Sequence, residues 1–187
     1  MVQAVIPESL IAERRRLGLD KKDEVWEGEL HMNLPGGGHH QVLEARLVVA
    51  LAPVARARQL FAVPEIGVFD PDVPEYKDFR TPDVVVCDPA LITERGVEGG
   101  AALVIEIRSP HDDSFKKFPF YSRVGVGEML IIDRDTKDVR RWLPGPDGLA
   151  EEPADAVGWH RLSAVPVALQ GGGGHLRVET DHGIEVM

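Results

Sequence analysis

Two short runs of unbroken hydrophobicity stand out along the chain, Val84-Val85-Val86-Cys87 and Leu103-Val104-Ile105, the second continuing into Glu106-Ile107. Runs of this length predict strands covered on both faces. Elsewhere the period changes. From His39 to Leu51 the apolar residues Val42, Leu43, Leu47 and Leu51 recur at helical spacing, and Pro53 is expected to end that helix. Residues 8–17 predict a short helix stopped at Gly18. Residues 24–33 place Val25, Trp26, Leu30 and Met32 around Glu27-Gly28, a hairpin pattern. Pro35 to Gly38 predicts a loop. Residues 59–69 predict a strand interrupted at Pro64, and residues 70–82 and 88–100 predict loops. Residues 112–124 predict a helix ending at Gly125, in which Pro119 either kinks the helix or marks its true first turn. Strands are predicted at 128–133 and 138–143. Beyond Pro144 the signal weakens: residues 145–158 read as loop, Gly171 to Gly174 as a flexible turn, and residues 176–178 and 184–186 as short strands. The order of helix, strands, helix and strands predicts an α/β fold around a mixed sheet.

A chain of 187 residues fits one domain, here with a core at about residues 20–145 and an extension over residues 146–187. Cys87 is the only cysteine and sits in an apolar run, so no disulfide is expected and a reducing compartment is. The N-terminus has no basic segment followed by an apolar stretch, and no apolar run approaches the roughly 20 residues of a membrane span. A cytoplasmic location without membrane partners is expected. A homodimer is expected only because two-fold dimers are common. The net charge of -10 weighs against strong nucleic-acid binding, although local patches matter more than the total. Arg14-Arg15-Arg16 reads as a solvated helix face. The histidines show no zinc-like spacing, and neither glycine run is followed by Gly-Lys-Ser/Thr, so neither is a phosphate loop.

The chemistry concentrates at the ends of the two buried strands. A carboxylate inside a strand such as Leu103 to Ile107 is costly unless something pairs with it. By strand alternation Glu106 faces the same way as Val104 and Arg108. A structural ion pair and a catalytic or metal-binding role are equally open for Glu106. Asp83 follows Pro82 at the entry to the other strand. Taken alone it is an ordinary turn residue. If the two strands are neighbours, both carboxylates meet at one sheet edge and repel unless a cation lies between them. Hard oxygen ligands without Cys or clustered His suit Mg²⁺ or Mn²⁺. In a helix over residues 112–124, Asp113, Lys117 and Tyr121 share one face that could overhang the same site. The plain alternative is a surface Lys117 paired with Asp113.

Pro82-Asp83 followed by Glu106-Ile107-Arg108 resembles the PD-(D/E)xK signature of restriction-endonuclease-like nucleases. The fuller match is to the Uma-type putative restriction endonuclease family within that superfamily. It is carried by Gly28-Glu29-Leu30, His40-Gln41 with Leu47, Pro82 to Val86, Val104 to Ile107 with Ser109-Pro110, Lys117 with Tyr121, Gly125-Val126 with Glu128, and Ile131-Ile132-Asp133. It covers residues 20–145 well and the tail poorly. The resemblance implies a restriction-endonuclease-like αβββαβ core with an N-terminal helix and hairpin, a divalent metal, and phosphodiester hydrolysis of nucleic acid, DNA first. Asp83 and Glu106 would be the metal-binding carboxylates, and the carbonyl of Ile107 would complete the shell. Arg108 stands where the signature has lysine. It cannot act as a base but can hold a phosphate, and Lys117 matches a recurrent lysine that would stand in. Glu29 and His40 also match recurrent positions. A lone histidine near a helix start is more often a capping or packing residue.

Three functions therefore compete. The first is a Mg²⁺- or Mn²⁺-dependent nuclease with Asp83, Glu106, Lys117 and Arg108 at its centre. The second is a nuclease-fold module that only docks nucleic acid or a protein partner, which Arg108 and the acidic charge favour. The third is a structural protein whose Glu106 is a buried ion-pair partner, so that Glu106→Gln harms folding rather than activity.

Overall fold

The computed structural model describes residues 8–18, 22–33, 36–73, 77–110 and 112–187. Pro35 and His111 lie outside them. The chain opens with α1 (Glu8–Arg16), the hairpin β1 (Glu24–Trp26) and β2 (Glu29–His31), and α2 (Gly38–Ala57). There follow β3 (Phe61–Pro64), β4 (Val68–Phe69), β5 (Phe79–Arg80), β6 (Val84–Cys87), β7 (Val97–Glu98) and β8 (Leu103–Arg108). A 3₁₀ turn (Ser114–Lys117) leads into α3 (Phe118–Arg123), then β9 (Met129–Asp133), β10 (Val139–Gly145) and β11 (Gly148–Glu152). The chain closes with β12 (His160–Arg161), β13 (Ala168–Gly172), β14 (His175–Thr180) and β15 (Gly183–Val186).

The central sheet runs β11-β10-β9-β8-β6-β3. It is mixed: β8 and β9 are parallel and the other neighbours antiparallel. The parallel pair needs a crossover, which the 3₁₀ turn and α3 supply. The run α2, β3, β6, β8, α3, β9 is the expected αβββαβ core. Alternation divides the sheet. Val84, Val86, Leu103, Ile105 and Ile107 pack under Leu43, Leu47 and Leu51 of α2. Val85, Val104 and Met129 pack with Phe120 and Tyr121 of α3 on the other face. The N-terminal hairpin joins β5, β4 and β7 in a second sheet. Its turn has Glu27 at φ 51° and Gly28 at φ 88°, the two left-handed positions of a tight hairpin.

Five expectations need correction. Residues 70–82 and 88–100 are not all loop, since they hold the two-residue strands β5 and β7. Pro53 does not end its helix, which runs to Ala57 with Pro53 inside. The carbonyl that loses its partner belongs to Val49, which lies on the solvent side of the helix at 70% exposure. Residues 145–158 are not all loop, because β10 and β11 form a hairpin with Gly145 opposite Gly148. The outer strand is polar and exposed, so it carries no core-facing alternation. The segment 112–124 is not one helix: it starts as a 3₁₀ turn, and Pro119 lies in the first turn of α3. Gly171 and Gly172 belong to β13, opposite Leu176 and His175. A Cβ on Gly171 would stand 1.7 Å from the carbonyl oxygen of Lys137, so glycine there permits close packing rather than flexibility.

The strands β12 to β15 form a third sheet. Its Leu169, Leu176 and Val178, with Leu162, Val165 and Val167, join the core beneath α2. No helix among the described residues is long and apolar enough to cross a membrane.

Candidate functional site

A cleft of about 500 Å³ opens where α2, the hairpin, β6, β8 and the 3₁₀ turn meet. Glu24, Trp26, His40, Asp83, Glu106, Ile107 and Lys117 are among the residues that line it. Their positions follow from the sheet. Strands β6 and β8 are antiparallel neighbours with Val84 opposite Ile105, so Asp83 and Glu106 fall opposite each other one step further on.

Glu106 is 4% exposed. Lys117 donates to both its oxygens at 3.0 and 3.2 Å, and the Tyr121 hydroxyl donates to Oε1 at 2.6 Å. The same Lys117 ammonium reaches Glu24 Oε1 at 2.8 Å. Glu24 is itself fixed by the Thr81 amide at 2.9 Å and the Trp26 indole at 2.7 Å. One buried cation thus sits between two buried carboxylates. Burial pushes Glu106 up to about 8 although Lys117 opposes it, with Asp83 and Glu24 adding to the rise. Burial alone would lower Lys117, but Glu106 and Glu24 hold it above the ordinary lysine range, so it stays charged. Burial, then Glu106, holds the Tyr121 hydroxyl well above its usual range, so it remains a donor.

Asp83 is gripped at both oxygens. His40 Nε2 is 2.7 Å from Oδ1, and the Ile107 amide donates to Oδ2 at 2.6 Å. The hydrogen bond to Asp83 raises His40 above the usual histidine value against the effect of burial. One turn further along α2, Glu44 is 7% exposed. Burial, with Glu65 and Asp83 nearby, pushes it up to about 7. His40, Glu44 and Asp83 each offer one ligand atom within 4.8 Å of the others.

The structure brings together Asp83, Glu106, Ile107, Lys117, Tyr121 and His40. Ile107 meets the site through its amide hydrogen. Two other candidates lie elsewhere. The Arg108 guanidinium stands 3.9 Å from Asp133 and 5.5 Å over the Phe115 ring, outside the cleft lining. Glu29 is exposed on β2, outside the lining, and Glu24 on the paired strand reaches inward instead. Lys117 is not a surface partner of Asp113; Lys116 pairs with Asp113 at 2.9 Å. Lys117 closes the 3₁₀ turn as a buried residue and reaches Glu24 and Glu106 instead. Sequence reasoning missed Glu24 and Glu44. Glu44 stands four residues after His40, the spacing that puts two side chains on one helix face, and that was the available signal.

A mixed α/β sheet with buried carboxylates meeting at the mouth of a cleft is the architecture of a nuclease-like α/β protein. A crystal structure of a putative nuclease of DUF820 from Anabaena variabilis ATCC 29413 has the same fold, with a TM-score of 0.55 and 20% identity over 70% of this chain and 77% of that one. The sequence model of Uma2, described as "Putative restriction endonuclease", matches residues 11–171. The chain belongs to that family. No curated protein matches the sequence.

Proposed function

We propose that the cleft hydrolyses phosphodiester bonds of nucleic acid, most naturally DNA, with Mg²⁺ or Mn²⁺ held by Asp83 and Glu106. The observation that carries this is the placement of a permanently charged Lys117 against Glu106 at the end of the sheet where Asp83 also lies. The donor set suits the group: hard carboxylate oxygens predominate among the residues that line this end of the cleft. When bound, such an ion supplies a polarised phosphate oxygen and a water of lowered pKa. The chain's own residues do the rest. Lys117 offers positive charge to the phosphate as charge develops on it. Tyr121 fixes the rotamer of Glu106, and His40 with the Ile107 amide fixes that of Asp83. Arg108 takes no part in the chemistry here.

The docking-module alternative has one observation in its favour: both oxygens of Glu106 already have protein partners. Calorimetric titration of Mn²⁺ into wild type and Asp83→Ala, with plasmid nicking on the same samples, separates the two. We expect binding and nicking in wild type and neither in the variant. A well-folded wild type that binds no metal would overturn the hydrolytic function, and metal binding without nicking would favour docking.

A further inference from the structure

We infer that His31 is a stacking platform for one unpaired base, which makes single-stranded nucleic acid the substrate class of the cleft. This rests on the hydrolytic function proposed above for its chemistry, but the binding itself needs neither metal nor cleavage.

The N-terminal hairpin builds the platform. Alternation puts Glu24 and Trp26 on one face of β1, and His31, paired opposite Glu24, on the same face of β2. Trp26 and His31 both line the cleft. As diagonal neighbours across the hairpin they are within reach of each other, and their rings stack with centroids 4.1 Å apart and planes within 18°. Behind Trp26 the Arg80 guanidinium stands 4.7 Å from the indole and 4.3 Å from the Phe120 ring. Arg80 and Phe120 are buried, whereas His31 borders the cleft. The planar groups therefore run outward in the order Phe120, Arg80, Trp26, His31.

The column is fixed at its base. Arg80 donates to the Val25 carbonyl at 2.7 Å and to Asp78 at 2.8 Å, and the Trp26 indole donates to Glu24 at 2.7 Å. Its outer end is uncapped: among the described residues the His31 imidazole has no further ring contact, no hydrogen bond and no ion pair. Burial lowers that imidazole below the usual histidine value, so at neutral pH the column ends in an uncharged ring. Such a ring suits the face of a base and not a phosphate.

Charge points the same way. Duplex DNA is held largely by cations that neutralise phosphates, and the cations of this cleft are already partnered. Lys22 is held by Glu65, Lys117 by Glu24 and Glu106, and Arg134 by Asp135. Stacking supplies affinity that needs no such cations. A base inside a duplex has both faces covered by its neighbours, so only an unpaired base can lie on His31. The platform stands across the hairpin from Glu24, and so adjoins the Lys117 ammonium that Glu24 holds.

The test uses the full chain in EDTA and a fluorescein-labelled oligodeoxythymidine of about 12 nucleotides, within the span of single-strand sites, followed by fluorescence anisotropy. The single strand should bind at least about tenfold tighter than a duplex of equal length. His31→Ala should weaken single-strand binding about tenfold, the loss of one stacked base. His31→Phe should stay within about threefold of wild type, since it keeps the flat ring. Raising salt from about 50 to about 200 mM should weaken binding by less than about tenfold, because few phosphates are neutralised. Equal affinity for duplex and single strand, no binding by wild type, a steeper salt dependence, or unchanged affinity in His31→Ala would each overturn the proposal. So would an equal loss in His31→Phe. Strand preference and salt dependence are read on wild type, so the proposal stands or falls even where His31→Ala loses its circular dichroism. Single-strand binding without cleavage on adding Mn²⁺ would leave the platform in place and overturn the hydrolytic function. Plasmid nicking by a protein that binds both forms equally would do the reverse.

Discussion

Glu106 and Glu128 are both buried glutamates beside the central sheet, and each faces a cation. Glu106 receives Lys117 and Tyr121, two side chains on the segment that roofs the cleft. Glu128 receives Arg141 from β10, and the backbone amides of Ser163 and Ala164 at 2.9 and 3.0 Å. Amides of a distant segment cannot swing away, so Glu128 pins residues 163–164 to the sheet. Side-chain donors can rearrange, and the cleft beside Glu106 gives them somewhere to go. In this pair the acid tied to a distant stretch of main chain is the structural one, and the acid held by side chains alone is the one that faces the cleft.

That contrast can be broken in several ways. Glu128→Ala should cost the most stability, about 3–5 kcal/mol, because it leaves the Arg141 charge buried and unpaired. For a chain of this size that is a fall of roughly 10 °C in Tm, read by thermal denaturation. Glu106→Gln should cost less stability than Glu128→Ala, since the Lys117 ammonium keeps Glu24 as its partner. Plasmid nicking should nevertheless fall by at least about 100-fold, roughly 3 kcal/mol. A large loss of Tm with nicking retained would make Glu106 the structural member of the pair. Lys117→Met should destabilise the metal-free protein by about 2 kcal/mol, by leaving Glu24 and Glu106 without their cation. Added Mn²⁺ should recover part of that loss.

Glu44 provides a smaller, pH-dependent effect. Its folded value of about 7 lies above the ordinary 4.5, so the folded state holds this proton more tightly than the unfolded state. Its contribution is intact below pH 4.5 and is lost as the pH rises through 7. In metal-free buffer Glu44→Gln should therefore gain on wild type across that window, by up to about 1 kcal/mol after screening by the solvent that its carboxylate touches. Equal denaturation midpoints at pH 5 and pH 8 would count against it. Arg108→Ala should do least, changing nicking by less than about twofold, or roughly 0.4 kcal/mol. A loss of 100-fold would return Arg108 to the reaction.

Much of this was legible in the sequence. The unbroken runs at Val84 and Leu103 announced two central strands, and a carboxylate at the end of each announced the cleft. Lys117 and Tyr121 were legible through their four-residue spacing even though the segment starts as a 3₁₀ turn. What stayed hidden had no local signature. Glu24 opens a three-residue strand, too short for a period, and its burial comes from Thr81 and Lys117 far along the chain. Glu44 borders the buried stripe of Leu43, Leu47 and Leu51, where a charged residue reads as the solvent side. Arg108 was misleading in the opposite way. Alternation gave its face of the strand correctly, but its length carries the guanidinium past the cleft to Phe115. Residues 145–187 were faint because their strands are polar or glycine-rich.

The Glu128 clamp also bears on the order in which the chain is made. The described residues that line the cleft run from Lys22 to Arg134, whereas the wall that completes the core beneath α2 includes Leu162, Leu169, Leu176 and Val178. A nascent chain that has emerged only as far as Glu152 has all of those cleft side chains on a sheet whose α2 face is still partly bare. Synthesis from the N-terminus therefore finishes the acidic residues well before it can finish the core beneath α2.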